Sequence, residues 1–403
     1  MANIAIMGFG TVGSGVYEII QKDADVLKTN ANGEAINIKH ILDIRDFSDH
    51  EKSELFTKNF EDILNDDSIS VVVEVMGGLH PAYEFTKELL LKGKSVVTSN
   101  KELVATYGTE LLAIACEKNE NYLFEASVGG GIPVIRPIHQ CLTANKVERI
   151  AGILNGTTNY ILNEMFKKGK KFEDALADAQ AKGYAEKNPA ADIEGHDACR
   201  KIAILTSLAS RREVDYRNIP TEGIVNITSE DVKYAEEINS VIKLIGYGEF
   251  SSDNRLYSIV CPMLINNESP LSGVDGVFNA VMVTGDNVGD VMFYGKGAGK
   301  LPTASAVVAD VIDAVKHIER SKRIAWVNQG DSYMIPMEEK EFSFFIRTGA
   351  DEAVVKNTFD IIKTVDIGLE GEKAYITSSI AEGVFRDKIK NVDNVLSVIR
   401  VMN

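Results

Sequence analysis

Short apolar runs alternate with helical stretches in the first third of the chain. The apolar runs predict strands near residues 4–7, 36–44, 71–75, 95–98 and 122–125, with helices between them that include residues 81–91 and 101–118. Such alternation is typical of a parallel sheet covered by helices. The N-terminal part is therefore expected to be an α/β domain.

The pattern changes after three consecutive glycines at residues 129–131. A long strand at 146–154 is followed by helices that include 171–182 and 196–210, then by strand-rich sequence at 256–265 and 277–294. This change predicts a second domain of the α+β type. A helix at 303–317 is expected to pack back on the first domain.

Residues 321–337 show little periodicity and predict a linker. Beyond them we expect a strand at 342–347, a helix at 352–365, strands at 367–369 and 374–378, a helix at 382–389 and a strand at 395–401. This βαββαβ order predicts a ferredoxin-like module. The predicted division is thus 1–130 plus about 303–320, then 131–302, a linker at 321–339, and 340–403.

A glycine fingerprint follows the first predicted strand and precedes a helix expected at 16–26. Its residues are Gly8, Phe9, Gly10, Thr11, Val12 and Gly13. In a strand–turn–helix setting these glycines allow a tight turn and a close approach to a pyrophosphate, which indicates a Rossmann-type dinucleotide-binding domain. The alternative is a turn whose glycines serve only its geometry.

The second strand should end near the adenosine ribose, where the chain offers Asp43 and Arg45. An acid there binds the 2′-hydroxyl of NAD, whereas an arginine pairs with the 2′-phosphate of NADP. Both cofactors remain open at this point.

The helix predicted at 196–210 carries a candidate proton-transfer pair. At about 100° per residue, Asp197 and Lys201 fall within its apolar arc. The opposite side, which can meet solvent or a neighbouring element, carries Cys199, Arg200, Thr206, Ser207 and Ser210. A buried lysine beside a carboxylate suits proton transfer, although a structural ion pair has the same appearance. Glu186 and Asp192 add acids in the preceding loop.

Composition narrows the classes of partner and location. The 403 residues favour several domains, and a formal charge of −16 argues against nucleic acid or an anionic membrane as the main partner. Four cysteines without CxxC spacing predict reduced, mostly buried thiols rather than a disulfide framework or a zinc site. The chain begins without a signal-peptide pattern and has no apolar run long enough to span a bilayer, so we expect a cytoplasmic protein.

Several motifs follow one another in order across about residues 4–310. Besides the fingerprint, they are EVMGG at 74–78, TSNK at 98–101, EASVGGGIP at 125–133, GILNGTTNY at 152–160, GYAE at 183–186, DIEGHDACRK at 192–201 and GKGAG at 295–299 followed by PTA at 302–304. Together these motifs resemble the homoserine dehydrogenase family. The resemblance implies reversible, NAD- or NADP-dependent interconversion of L-homoserine and L-aspartate 4-semialdehyde, a reaction of threonine, methionine and isoleucine biosynthesis.

The resemblance also implies roles for individual residues. Lys201 would exchange the proton of the substrate oxygen, and Lys101 would lie beside the nicotinamide and the substrate. The substrate would contact Glu186, Asp192, Asp197, Thr157 and Gly156. Cofactor contacts would add Gly77, Ser99, Asn100, Lys101 and Gly297 to the fingerprint, Asp43 and Arg45. A monovalent cation, usually sodium, would bind at Glu125, Val128, Gly130 and Ile132. A homodimer or higher homo-oligomer is also implied.

The C-terminal module resembles an ACT domain, which in this family is often where threonine inhibits. Its first strand-to-helix turn, at 348–352, lacks the Asp-x-x-Gly loop of ligand-binding ACT domains. A module that only assists oligomerisation, or is vestigial, explains the same residues. Two alternative functions remain open: a non-catalytic dinucleotide and amino-acid sensor, and a dehydrogenase for another small aldehyde or alcohol.

Overall fold

A computed structural model of the chain describes residues 1–318 and 320–402. The strands are β1 (Ala2–Met7), β2 (Ile36–Leu42), β3 (Phe56–Thr57), β4 (Ile69–Glu74), β5 (Ser95–Thr98), β6 (Tyr122–Leu123), β7 (Val147–Ile153), β8 (Ser240–Phe250), β9 (Leu256–Asn266), β10 (Phe278–Gly285), β11 (Gly289–Lys296), β12 (Glu341–Thr348), β13 (Ile361–Val365), β14 (Lys373–Thr377), β15 (Ile380–Ala381) and β16 (Val395–Met402). The α-helices are α1 (Thr11–Lys22), α2 (Ala24–Asn30), α3 (Glu61–Leu64), α4 (Ala82–Leu91), α5 (Lys101–Lys118), α6 (Gly156–Lys168), α7 (Phe172–Ala181), α8 (Ala190–Ile193), α9 (His196–Ser210), α10 (Ser229–Glu237), α11 (Lys300–Lys316), α12 (Glu352–Thr358) and α13 (Glu382–Ile389).

The first compact unit contains residues 1–145, 203–216 and 295–330. Its six strands are ordered β3-β2-β1-β4-β5-β6, and every neighbouring pair is parallel. The central strands are fully buried at Ile4, Ile6 and Val72, as strands covered on both faces by helices must be. This strand order confirms the predicted Rossmann-type domain.

Helix α11 returns to this unit and packs on α1, as predicted. A Cβ placed on Gly15 of α1 would lie 2.9 Å from the Cβ of Ala304, so the glycine permits the close contact. The helix begins at Lys300, earlier than the predicted residue 303.

Part of the predicted linker is packed rather than solvated. Trp326 is buried against α5, where a Cβ on Gly108 would lie only 2.6 Å from its ring, and it meets Phe124 edge-on with ring centroids 5.7 Å apart. The linker prediction was wrong here because one large aromatic side chain can bury extensive apolar area without any periodic pattern.

The second unit contains residues 146–202, 217–294 and the chain from residue 331 onward. Its sheet is ordered β11-β10-β7-β8-β9-β16-β12-β14-β13, with β15 paired to β12. The pairing of β16 with β9 is parallel, so the C-terminal strands extend this sheet. Strand β8 was not predicted, and the strand-rich sequence predicted at 277–294 forms two strands, β10 and β11, joined by a turn.

The C-terminal segment departs from its predicted boundaries at one place. The helix expected at 352–365 ends at Thr358, and residues from Ile361 to Val365 form β13 instead. The strand expected at 367–369 is absent from this described segment. Four of the five residues of β13 are β-branched, which favours a strand, and pairing with β14 stabilises it.

Helix α9 matches its predicted bounds, and of the two predicted surroundings for its polar side the structure shows a neighbouring element at Cys199, Thr206 and Ser207. These residues are buried, and the Ser207 hydroxyl accepts a hydrogen bond from Val214 N. Cys116 and Cys141 are exposed, so the thiols are not mostly buried. Within the described residues, no helix combines the length and apolar character needed to cross a bilayer.

Candidate functional site

The glycine fingerprint forms the turn between β1 and α1. Gly8 adopts a left-handed φ of +97°, and a Cβ on Gly13 would lie 1.9 Å from the carbonyl oxygen of Gly8. Apart from its own chain neighbours, no described residue has an atom within 4 Å of a Cβ placed on Gly10, the residue before α1. Two glycines therefore shape the turn, while the third leaves open space at the helix N-terminus, where a pyrophosphate is expected to approach.

Asp43 follows β2 and is fixed by four hydrogen bonds. Its carboxylate accepts Phe9 N at 2.7 Å, Arg45 N at 3.0 Å, Arg45 Nε at 2.9 Å and the Arg45 terminal nitrogen at 2.8 Å. The hydrogen bonds from the Arg45 side chain hold the pKa of Asp43 well below its usual value. The Arg45 side chain itself is 56% exposed, so an arginine stands at the surface beside the predicted ribose position.

The turns after β4 and β5 carry the next predicted cofactor residues. Gly77 has a φ of +79°, and the Asn100 side-chain amide donates to the carbonyl of Gly78 at 2.6 Å. Asn100 also caps α5 by accepting Leu103 N at 3.1 Å. Ser99 precedes it, and Lys101, which is partly exposed, is the first residue of α5. A lysine there lies at the carboxyl edge of the parallel sheet, where such domains bind their cofactor.

Glu74, which was not predicted as a site residue, ties these two turns together. This fully buried carboxylate accepts the Thr98 hydroxyl at 2.6 Å and Met76 N at 2.9 Å, and burial raises its pKa. The sequence offered one signal for Glu74, which is its place as an acid at the end of the apolar run of β4. Charged residues are rarely fully buried unless paired, so an acid at such a position indicates a partner.

The glycine run at residues 129–131 packs against the glycine-rich run at residues 295–299. A Cβ on Gly130 would lie 2.2 Å from the carbonyl oxygen of Gly297, and Gly131 N donates to Lys296 O at 3.1 Å. Nearby, the buried Glu125 carboxylate accepts three backbone N–H groups at 2.6–2.8 Å, from Val134, Ile135 and Arg136.

An acid–amide–lysine cluster lies in the second unit. Lys201 Nζ donates to Asp197 Oδ2 at 2.8 Å and to the carbonyl of Leu154 at 2.7 Å. Asn155 Nδ2 donates both to the same Asp197 oxygen at 2.9 Å and to Asp192 Oδ1 at 2.7 Å. Asp197, Lys201 and Asn155 are each buried, so these contacts are little screened by water. The structure therefore joins the predicted pair to Asp192.

Asn155 was missed as a site residue although it organises the cluster. It stands between β7 and α6 and caps that helix through Thr158 N at 2.9 Å, which leaves its amide N–H groups for the acids. Burial, with a further contribution from the negative charge of Asp197, raises the pKa of Asp192, and the Asn155 hydrogen bond opposes this shift.

The other predicted substrate residues differ in placement. The Thr157 hydroxyl donates to the carbonyl of Tyr184 at 2.6 Å, which fixes the loop that carries the GYAE motif to α6. Gly156 begins α6, where a Cβ would lie 2.8 Å from the carbonyl oxygen of Val277. Glu186 is exposed on the loop, and no hydrogen bond from its carboxylate to the cluster is found in the described part of the chain.

Comparison with known proteins decides the family. The family model described as the homoserine dehydrogenase NAD-binding domain matches residues 8–125 of this chain. A second family model, described as homoserine dehydrogenase, matches residues 133–312. A homoserine dehydrogenase from Synechocystis is 37% identical, with 99% of each chain covered.

The chain belongs to the homoserine dehydrogenase family.

Solved structures agree with this assignment. The crystal structure of a homoserine dehydrogenase from Thiobacillus denitrificans matches with a TM-score of 0.91 at 35% identity, covering 100% of this chain and 98% of that one. A hyperthermophilic archaeal homoserine dehydrogenase in complex with NADPH matches with a TM-score of 0.64 at 30% identity, covering 78% of this chain and 97% of that one. As a homoserine dehydrogenase family member, the chain is an NAD(P)-dependent oxidoreductase that acts on a small-molecule substrate.

Proposed function

We propose that Lys201 is the proton donor and acceptor for the substrate oxygen when L-homoserine and L-aspartate 4-semialdehyde are interconverted. The observation that carries this proposal is the buried ammonium held between Asp197 and the Leu154 carbonyl. Two fixed acceptors orient the lysine side chain, and the carboxylate stabilises its charged form.

When bound, the nicotinamide supplies or accepts the hydride. In the reductive direction, Lys201 gives a proton to the aldehyde oxygen as its carbon is reduced, and in the oxidative direction it takes the hydroxyl proton. Lys101, at the start of α5 in the dinucleotide-binding unit, is proposed to contact the substrate and the nicotinamide. The fingerprint turn and the turns held by Glu74 would bind the dinucleotide.

Glu186, from its exposed loop, and Asp192 are the acids proposed to contact the substrate ammonium. Asn155 supports the role of Asp192, because it orients one oxygen of a carboxylate that can accept further donors. Thr157 and Gly156 would shape the same pocket from the start of α6.

The ammonium role is tested by comparing homoserine with 4-hydroxybutanoate, which lacks the α-ammonium group. The unmodified enzyme should prefer homoserine strongly in kcat/KM, and Asp192→Asn should lose at least about ten-fold of this preference, because a charge-assisted contact is worth about 1.5–3 kcal/mol. A preference that survives in Asp192→Asn would contradict the assignment.

A monovalent cation, proposed to be sodium, fits the loop at Glu125. The buried Val128, Gly130 and Ile132 carry carbonyl oxygens that accept none of the hydrogen bonds found among the described residues. Together with the Glu125 carboxylate, these three carbonyls would form an oxygen-only donor set suited to a hard, weakly held ion. Its role would be to stabilise this loop rather than to activate the substrate.

Several finer expectations remain proposals. The element order of residues 341–402 supports an ACT-like module, which would assist oligomerisation or be vestigial, given the turn at 348–352. A homodimer or higher homo-oligomer, a cytoplasmic location and the choice between NAD and NADP are also proposed from the sequence, with Asp43 and Arg45 as the residues that decide the cofactor.

A further inference from the structure

A buried arginine on the last strand holds a segment that lies beside the proposed substrate site. Arg400 of β16 donates to both carboxylate oxygens of Glu222, at 2.8 and 2.9 Å, and its Nε donates to Glu382 at 3.0 Å. Arg400 is 6% exposed and Glu382 1%. A two-pronged arginine–carboxylate contact with a desolvated arginine restrains direction as well as distance.

Glu222 belongs to a segment that rests directly on α8. Ile224 N donates to the carbonyl of Ile193 at 2.8 Å, and a Cβ on Gly223 would lie 2.2 Å from that same carbonyl oxygen. Ile193 is the last residue of α8 and follows Asp192 directly. A displacement of residues 222–224 would therefore be transmitted to the backbone that carries Asp192.

One side of this segment is open, although Ile224 is fully buried. The segment borders a cavity of about 500 Å³, which is lined by Glu222, Gly223, Asn226, Ile227, Pro262 and residues 395–398. On another side, Glu222 N donates to Val260 O of β9 at 2.7 Å. With open space next to the segment, the ion pair to Arg400 supplies a restraint that side-chain packing would otherwise provide.

We propose that Arg400 is a positioning residue for the substrate: it acts through Glu222 and residues 222–224 to hold α8, and so Asp192, in place for the substrate ammonium. This inference rests on the proposed role of Asp192. It assigns to the C-terminal segment a contribution to substrate binding that acts through residues 222–224.

The chain contains a matched control. Arg347 of β12 is a second buried arginine, which donates to both carboxylate oxygens of Glu372 at 3.2 and 3.1 Å and to Asp231 at 2.9 Å. Asp231 lies in α10 rather than α8. Glu372→Gln therefore removes the same charge beside a buried arginine without touching the segment on α8, although Arg347 reaches Glu372 through one nitrogen and Arg400 reaches Glu222 through two.

The experiment compares Glu222→Gln with Glu372→Gln by steady-state kinetics of homoserine oxidation. We expect Glu222→Gln to raise KM for homoserine about five-fold, with kcat and the KM for the dinucleotide changed less than about two-fold. Glu372→Gln should leave all three parameters within about two-fold. Backbone amide exchange at residues 194 and 195 should accelerate in Glu222→Gln only, because their N–H groups bond within the α8 turn.

Three outcomes separate the possibilities. An unchanged KM for homoserine in Glu222→Gln overturns the inference, as does an equal rise in both variants, which would show only general loosening. If Asp192→Asn itself leaves homoserine binding unchanged, the proposed role of Asp192 fails and the inference fails with it. If Asp192→Asn weakens homoserine binding as expected while Glu222→Gln leaves the KM for homoserine unchanged, the inference about Arg400 fails and the proposed role of Asp192 stands.

Discussion

Replacing Asn155 by Asp should disable the acid–lysine cluster while leaving the helix cap in place. The variant keeps the oxygen that accepts Thr158 N at 2.9 Å, so α6 retains a cap whose loss would cost about 1 kcal/mol. It loses the two N–H groups that reach Asp192 at 2.7 Å and Asp197 at 2.9 Å. A third carboxylate then faces two others.

The expected fall in kcat/KM follows from the two hydrogen bonds that Asn155→Asp loses. A hydrogen bond to a charged group contributes about 1.5–3 kcal/mol, so the two together amount to about 3–6 kcal/mol before any repulsion is added. Since about 1.4 kcal/mol corresponds to a factor of ten, kcat/KM for homoserine should fall at least about 100-fold near pH 7.

The assay measures initial rates of homoserine oxidation from the absorbance of the reduced cofactor, with thermal unfolding of each variant in parallel. Asn159→Asp is the control, because Asn159 lies one turn later on α6 and donates to the carbonyls of Val274 and Phe278 rather than to carboxylates. This control should lower the melting temperature but reduce kcat/KM less than about five-fold. The reasoning is refuted if Asn155→Asp keeps kcat/KM within about three-fold of the unmodified enzyme.

Three other predictions concern the cofactor site and a buried lysine. Arg45→Ala should raise KM for NADP at least about five-fold and leave KM for NAD nearly unchanged, since only NADP carries a 2′-phosphate; equal effects on both would contradict that contact. Gly13→Ala should weaken dinucleotide binding at least about ten-fold in a fluorescence titration, because its Cβ would lie 1.9 Å from Gly8 O; normal affinity would show that the turn can shift. Burial lowers the pKa of Lys243 to about 8, so between pH 8 and pH 10 the unfolded chain binds more protons than the folded one. Relative to Lys243→Met, the unfolding free energy of the unmodified protein should rise by about 2 kcal/mol over this range in urea titrations, and a constant difference would contradict the shift.

The sequence correctly predicted helices and a turn that form through residues close together in the chain. Helix α5 starts after an asparagine cap, which is a signal within a few residues of sequence, and matches its predicted bounds; α9 and α13 also match theirs. The glycine fingerprint was placed for the same reason. Its spacing is fixed by neighbouring residues, since Gly13 must pass within van der Waals distance of Gly8.

The features that were missed depend on distant partners. Strand β13 forms where helical periodicity appeared to continue, because β14 offers it a partner. Asn155 reaches Asp192 and Asp197 across 37 and 42 residues of sequence, so no local spacing indicates that one amide serves both acids. Arg400 and Glu222 are 178 residues apart, so no local sequence pattern indicates their contact either.

The central claim is that Lys201 moves the proton while other residues bind the dinucleotide. Its most direct test measures homoserine-dependent reduction of NAD or NADP by Lys201→Ala, together with a titration of dinucleotide binding to the same variant. The account predicts that kcat falls at least about 1,000-fold, within the range typical for loss of a general acid–base, while the dinucleotide Kd changes less than about three-fold. Turnover comparable to that of the unmodified enzyme would contradict it.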